Sequence, residues 1–414
     1  MTDPTREFAL AVTQRLQEAG FEALWAGGCV RDRLMQVQPH DYDVATNARP
    51  DQIRNIFGRR KTLSLGVAFG VITVIGARGS GNVEIATFRS DGHYSDGRHP
   101  DEVTFGTAEE DAQRRDFTIN GLFYDPVSDR IIDYVGGQAD IRDGMVRAIG
   151  DARQRIAEDK LRMLRAVRFA ATLDFRLDGP TARVICDEAA SLGVVSAERI
   201  NGELTRMLLN RHRRRAVELL MQTGLLVEDC LFPELRDRTN DARETAAVLD
   251  QLAALANPEM PECLAILSGN RIPVGDFPAT ARRLRFSNQV RDTTQWLLQN
   301  SGVLGQADQH PWSMVQPLLV DGRIQNALRM LEGLQVCHPE IASSIEFCRE
   351  RLQWPGDRLD PAPLIDGRDL QQLGIEPGPV FSRILERIRQ MQLDGELQDA
   401  DTARQRARQL AGED

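Results

Sequence analysis

No apolar run in this sequence approaches the ~18 residues of a membrane span, and its start, Met1-Thr2-Asp3-Pro4, lacks the basic and apolar regions of a secretory leader. A cytosolic protein is expected, with no membrane partner. Paired cysteines are missing too. The six, at 29, 186, 230, 263, 337 and 348, are scattered without a CxxC pair, so neither a disulfide framework nor a zinc site is signalled and buried free thiols are expected. Nor is there a positive excess: the net charge of −10 argues against indiscriminate nucleic-acid binding, because neutralising phosphate takes clustered Lys and Arg. Repeats of fixed period are absent, which excludes solenoids.

What is present is ordinary in bulk and uneven in distribution. The 414 residues are enough for two to four domains, and 42% hydrophobic with 27% charged residues suits a globular protein with an ample core. The positive charge is concentrated. Arg153 to Arg176 holds seven basic residues against three acidic ones, and Arg211-His212-Arg213-Arg214-Arg215 is a second cluster. Either is a solvated helix face or the wall of a basic groove.

The most informative stretch is Gly27-Gly28-Cys29-Val30-Arg31-Asp32, followed nine residues after Asp32 by Asp41-Tyr42-Asp43. Ala23 to Ala26 reads as a short strand entering the Gly-Gly turn, which allows close approach of a bulky anion. Val30 to Met35 reads as a helix whose start faces phosphate, with Arg31 adding a charge-assisted fork. Asp41 and Asp43, two apart on a strand, share a face, and paired carboxylates suit Mg²⁺. A turn followed by two exposed aspartates is the plainer alternative.

Along the chain, Phe8 to Ala19 repeats as a helix ended by Gly20, Pro50 to Phe57 as another, and 71–75 and 83–88 as strands around the turn Gly79-Ser80-Gly81. Glu84 has the parity of Ala86 and Phe88. It should therefore face a covered surface, as a third site carboxylate or as an edge-strand charge. Arg89 to Pro100 is polar, contains glycine and has no period, as in a mobile loop. Strands near 130–133 and 145–149 flank the Gly136-Gly137 turn. Beyond Gly150 the pattern turns almost wholly helical. Glu158 to Phe169 reads as one helix on which Asp159 and Arg162 are i,i+3 neighbours and form a salt bridge by default. Ser196 is a plausible helix cap, and the segment from Leu364 to Pro379 reads as helix, rigid turn and helix.

Six motifs stand in fixed order: Gly-Gly-x-Val-Arg-Asp, Asp-x-Asp, Val-Glu-Ile-x-Thr-Phe-Arg, Arg-Arg-Asp-Phe-Thr-Ile-Asn, Glu-Asp-x-x-Arg and Ser-x-Glu-Arg-Ile. Together, over residues 24 to 205, they closely resemble the class II tRNA nucleotidyltransferases, the CCA-adding enzymes, and the related bacterial poly(A) polymerases. The resemblance implies an α+β fold: a DNA polymerase β-like head (1–150) followed by an all-helical neck (151–215), body (216–350) and tRNA-binding tail (351–414) in a curved shape. It implies Asp41 and Asp43 as Mg²⁺ ligands and Glu84 as the third acidic member of the site. It places Gly27, Gly28 and Arg31 at the triphosphate and Arg115, Asp116 and Asn120 in the motif that reads the ribose. Asp159 and Arg162 map onto the template for the incoming base, with Arg165 and Arg168 as further nucleotide contacts.

The partners implied are the tRNA 3′ end, CTP and ATP, with no DNA. The implied reaction is attack of the RNA 3′-hydroxyl on the α-phosphate of CTP or ATP with release of pyrophosphate. A carboxylate accepts from an exocyclic amine while a guanidinium donates to the adjacent ring nitrogen. Cytosine and adenine offer that edge; uracil and guanine present its reverse. The acidic end of the chain favours tRNA maturation over polyadenylation, although Ile56 to Lys61 has some of the poly(A) polymerase pattern. The polar segment after Phe88 weighs against a CC-only activity and leaves A-only addition open. A catalytically silent scaffold and an antibiotic-modifying transferase fit the motifs less well. No histidine–aspartate phosphohydrolase motif accompanies the body.

Overall fold

A computed structural model describes residues 3–66, 70–91, 103–236 and 241–412. Chain packing divides it into two units, Met1–Pro233 and Glu234–Asp414.

The first unit begins with α1 (Pro4–Glu18), capped by Asp3, whose carboxylate accepts from the Thr5 and Arg6 amides. Then follow β1 (Ala23–Ala26), α2 (Gly28–Leu34), β2 (Asp43–Thr46), α3 (Pro50–Phe57), β3 (Thr62–Gly66), β4 (Val71–Ile75) and β5 (Asn82–Thr87). Next come β6 (Arg89–Asp91), β7 (Val103–Phe105), α4 (Ala108–Gln113), β8 (Leu122–Asp125), β9 (Arg130–Asp133) and α5 (Gly137–Arg142). Seven strands form one sheet in the order β3-β4-β5-β2-β1-β8-β9. β2 and β5 are parallel and every other pair is antiparallel.

Alternation sends Trp25, Val44, Ile72, Val83 and Ile85 into a core beneath α1 and α3, built with Ala9, Val12, Leu16 and Ile53. On the opposite face Leu24, Ala26, Ala45 and Phe123 pack with Phe88 under Ala108 and Ala112 of α4. The expected elements at 23–26 and 50–57 fall where the residues placed them. Strands β3 and β8 and helix α5 were not anticipated. The segment expected as a loop from Arg89 starts as strand β6, paired with β7; residues 92–102 lie outside the described residues.

The rest of this unit is mostly helical: β10 (Met145–Val146), α6 (Ala152–Glu158), α7 (Leu161–Thr172), β11 (Arg176–Leu177), α8 (Gly179–Glu188), α9 (Ala197–Leu208) and α10 (Arg213–Gln222). Two expectations are corrected. The strand expected over 145–149 is only two residues long and pairs in parallel with β11, so the segment expected to be all helical holds one short strand. The run from Glu158 to Phe169 is two helices: Asp159 is extended (φ −150°, ψ 104°) between α6 and α7. Ser196 does occupy the N-cap of α9, but its hydroxyl makes no capping bond.

The second unit is helical: α11 (Ala242–Ala254), α12 (Met260–Ser268), α13 (Phe277–Arg283), α14 (Asn288–Gly305), α15 (Trp312–Leu319), α16 (Ile324–Leu334), α17 (Ala342–Leu352) and α18 (Gly356–Leu359), then α19 (Gly367–Gln372), α20 (Pro379–Leu393) and α21 (Ala400–Gly412). The last three share a small core of Leu370, Ile384, Ile388, Ala403 and Ala407, which fits the expected helix–turn–helix. Cys29, Cys263 and Cys348 are buried, Cys230 and Cys337 are half-buried and Cys186 is exposed, correcting the expectation of buried thiols. No helix among the described residues is long and apolar enough to cross a membrane.

Candidate active site

The Gly-Gly turn and the aspartate pair meet because β1 and β2 are antiparallel neighbours with Ala26 opposite Asp43. Gly27, the next residue, has φ +72°, a conformation that disfavours side chains. It is also hemmed in, since a Cβ there would lie 2.9 Å from Arg115 Nη1. β8 lies along the other side of β1, and the Gly27 amide donates to Leu122 O. The motif from Arg115 to Asn120 is thereby brought to the same end of the sheet.

Asp41 and Asp43 are exposed while Tyr42 between them is buried on the opposite face, against Trp25 with ring centroids 4.7 Å apart. The Tyr42 hydroxyl donates to Asp3 Oδ2 at 3.1 Å, anchoring the segment from behind. Strand β2 starts only at Asp43, so Asp41 is presented from the preceding coil.

Glu84 corrects an expectation. It was to face a covered surface and is instead exposed, because α4 covers the far end of that face and stops short of it. Extending the register Val44–Ile85 by one residue places it beside Asp43. Asp43 keeps an accessible edge, but the surrounding protein strips water from its carboxyl; that desolvation, then the like charges of Asp41 and Glu84, push it up to about 6, with Arg115 opposing.

These residues open into a cavity of about 600 Å³ lined by Gly27, Gly28, Arg31, Asp41, Asp43, Arg114, Arg115, Asp116, Asn120, Asp159, Arg162, Arg165 and Phe169. Eleven of the thirteen expected site residues line it; Glu84 and Arg168 do not. Arg114 and Phe169 join it without having been anticipated. Buried Asp111 holds both Arg114 (2.6 Å) and Arg115 (3.0 Å).

Asp116 links the sheet end to α7. Its Oδ1 accepts from the Phe117 amide at 2.8 Å and Asn120 Nδ2 at 3.2 Å, and its Oδ2 accepts from Arg165 Nη2 at 2.5 Å. Asn120 Oδ1 in turn accepts from Arg31 Nη1 at 2.8 Å. Burial alone would raise the Asp116 carboxyl; Arg165 and the hydrogen bonds overcome it and hold the group at about 2. A carboxyl depressed in the fold contributes stability that is fully present above its unfolded value of 3.8 and fades as pH falls toward 2. The stability gap between wild type and Asp116→Asn should therefore shrink between those values, by roughly 2 kcal/mol. Thermal unfolding of both proteins across that range checks it, and a constant gap would contradict the assignment.

Asp159 and Arg162 both reach the cavity but do not pair with each other. Asp159 Oδ1 accepts from the Leu161 amide at 3.0 Å, and its two oxygens take Arg199 at 2.6 and 3.1 Å. Arg162 donates to Glu158 Oε2 at 2.6 Å, Arg155 O at 2.7 Å and Arg114 O at 3.2 Å. The default salt bridge is thus replaced by two others, since the break at Asp159 turns its side chain away from the Arg162 face. Arg199 comes from the Ser-x-Glu-Arg-Ile motif, whose spacing was visible and whose target was not.

Residues 23–147 match the family described as "Poly A polymerase head domain" and residues 174–238 that described as "Probable RNA and SrmB- binding site of polymerase A". The CCA-adding enzyme of Pediococcus pentosaceus is 34% identical over 407 residues, 96% of each chain. That of Lactobacillus helveticus is 31% identical over 95% of this chain and 94% of its own. The chain belongs to the CCA-adding enzyme family. Among solved family members, the Bacillus stearothermophilus CCA-adding enzyme in complex with CTP is 27% identical and covers 100% of both chains with a TM-score of 0.77.

The carboxylates suit a divalent cation, of the kind this family generally uses. Among the described residues no three His, Cys, Asp or Glu side chains converge enough to enclose an ion. Asp41 and Asp43 are hard oxygen donors whose mutual repulsion a cation relieves, and Mg²⁺ is commonly held by one or two carboxylates plus substrate phosphates.

Proposed function

We propose that this chain adds CCA to the 3′ end of tRNA from CTP and ATP, releasing pyrophosphate. The observation that carries the proposal is similarity to CCA-adding enzymes along 96% of the chain, which includes the helical part that a head match alone would leave unexplained.

Asp41 and Asp43 would hold Mg²⁺, which when bound supplies Lewis-acid activation of the attacking hydroxyl and charge neutralisation at the triphosphate. Glu84 adds negative potential beside Asp43. The close-packed turn at Gly27 and Gly28 admits the triphosphate, with Arg31 donating to it. Arg115, Asp116 and Asn120 form the wall at the ribose. Asp159 accepts from the exocyclic amine of cytosine or adenine and Arg162 donates to the ring nitrogen beside it. Residues 1–150 would act as catalytic head, 151–215 as base-reading neck, and 216–350 and 351–414 as body and tail against the tRNA. A cytoplasmic location accompanies this activity.

The test supplies tRNA lacking CCA, ending in one C, or ending in CC, with CTP and ATP separately, and sequences the products. CTP should extend the first two to CC and stop; ATP should add one A to the CC end alone. Addition of A only, addition of C only, or a long A tail would overturn the proposal.

A further inference from the structure

Phe169 looks like a core residue in sequence, one apolar position on an amphipathic helix. It is largely buried, yet it lines the cavity. The guanidinium carbons of three arginines lie near its ring centroid: Arg168 at 3.9 Å, Arg31 at 5.3 Å and Arg165 at 5.4 Å. Arg165, Arg168 and Phe169 are neighbours on α7 at i, i+3 and i+4, whereas Arg31 comes from α2. The ring also meets Phe117 edge-on, with centroids 5.8 Å apart at 75°.

Three cations around one ring repel each other, and their compensation is specific. Arg31 has Asp32 at 2.7 Å, and Arg165 has Asp116 at 2.5 Å. Behind them lies Glu203 of α9, 2% exposed. It accepts from Arg168 Nε, takes Arg206 at 3.0 Å and lies 4.0 Å from Arg165. Arg31 and Arg165 line the cavity, and Arg168 does not.

We propose that Phe169 and Glu203 are positioning residues for the triphosphate of the incoming nucleotide, a role that rests on the function proposed above. Glu203 fixes Arg168 against the ring. The negative ring face gathers Arg31 and Arg165 at the cavity wall, where their remaining N–H groups meet phosphate oxygens. Neither residue touches the base, so the device serves CTP and ATP alike.

The test uses the full chain with Phe169→Leu, Phe169→Tyr and Glu203→Gln. Steady-state kinetics with tRNA are combined with titration of inorganic tripolyphosphate, a probe with no base or ribose. Phe169→Leu should raise KM for CTP and ATP and weaken tripolyphosphate binding, each about tenfold. Its kcat should stay within about twofold and its product sequence unchanged. Phe169→Tyr, which keeps the ring, should restore wild-type values, and Glu203→Gln should resemble Phe169→Leu in direction. Equal impairment in the Leu and Tyr variants, unaltered tripolyphosphate affinity in the Leu and Gln variants, or a changed choice of base would overturn the proposal. Wild-type protein that fails to extend tRNA would instead overturn the parent function, and tripolyphosphate titration reads the device even then.

Discussion

Asp43→Ala should abolish nucleotide addition, lowering kcat/KM by about a thousandfold or more, because several kcal/mol of charge stabilisation depends on that carboxylate. Asp41→Ala should act in the same direction. Retention of tRNA in a gel-shift assay should be unaffected, since neither residue belongs to the sheet's apolar cores. Stability should move the other way. The carboxyl of Asp43 is raised to about 6 by desolvation within the cavity and by Asp41 and Glu84, so its charged form is disfavoured in the fold. That penalty is absent below the unfolded value of 3.8 and grows as pH rises through about 6. At pH 7 in chelator, Asp43→Asn should therefore unfold at a higher temperature than wild type. Appreciable turnover by either alanine variant would remove the carboxylates from the chemistry, and a lower unfolding temperature for Asp43→Asn would show that they serve the fold.

The second large effect is expected at Asp159. Its carboxylate is oriented by the Leu161 amide and by two-pronged contact with Arg199, so its acceptor capacity is aimed before a base arrives. Asp159→Ala would remove the acceptor proposed for the exocyclic amine. It also removes the penalty that uracil or guanine would incur by leaving that acceptor unsatisfied, ~1–3 kcal/mol for a neutral group and more for a charged one. Discrimination against UTP and GTP should fall by about 10- to 100-fold, while affinity for tripolyphosphate changes little. Competition among the four triphosphates, read by sequencing product ends, measures this. Unchanged selectivity for C and A would defeat the template role.

Much of the head was legible because its signals are local. Pro50 at a first helical turn, and the turn Gly79-Ser80-Gly81 after the β-branched run 71–75, bound their elements without reference to partners. Asp159 was not legible. Glu-Asp-Lys-Leu-Arg-Met-Leu-Arg favours continuous helix, and the break coincides with a partner forty residues away, Arg199. Glu84 was misjudged for a related reason: strand parity names a face correctly but not how far along that face the covering helix extends. Phe169 and Glu203 carried only the ordinary signature of a helix interior, an apolar and a polar position, until α2, α7 and α9 were packed together.

By itself, the sequence determined the kinds of groups available: two carboxylates two residues apart on one strand face, a glycine turn that tolerates positive φ, and arginines spaced by three along a helix. These follow from backbone sterics and helical and strand periods, which act over a few residues. Only the tertiary structure decided which of them meet. Ala26 opposite Asp43 brings the turn to the carboxylate pair, Asp116 joins the sheet end to α7, and Asp159 turns to Arg199 rather than Arg162. The reason is that ion pairing and ring packing depend on distance in space, and in a chain whose partners lie 40 to 90 residues apart that distance is set by strand register and helix packing.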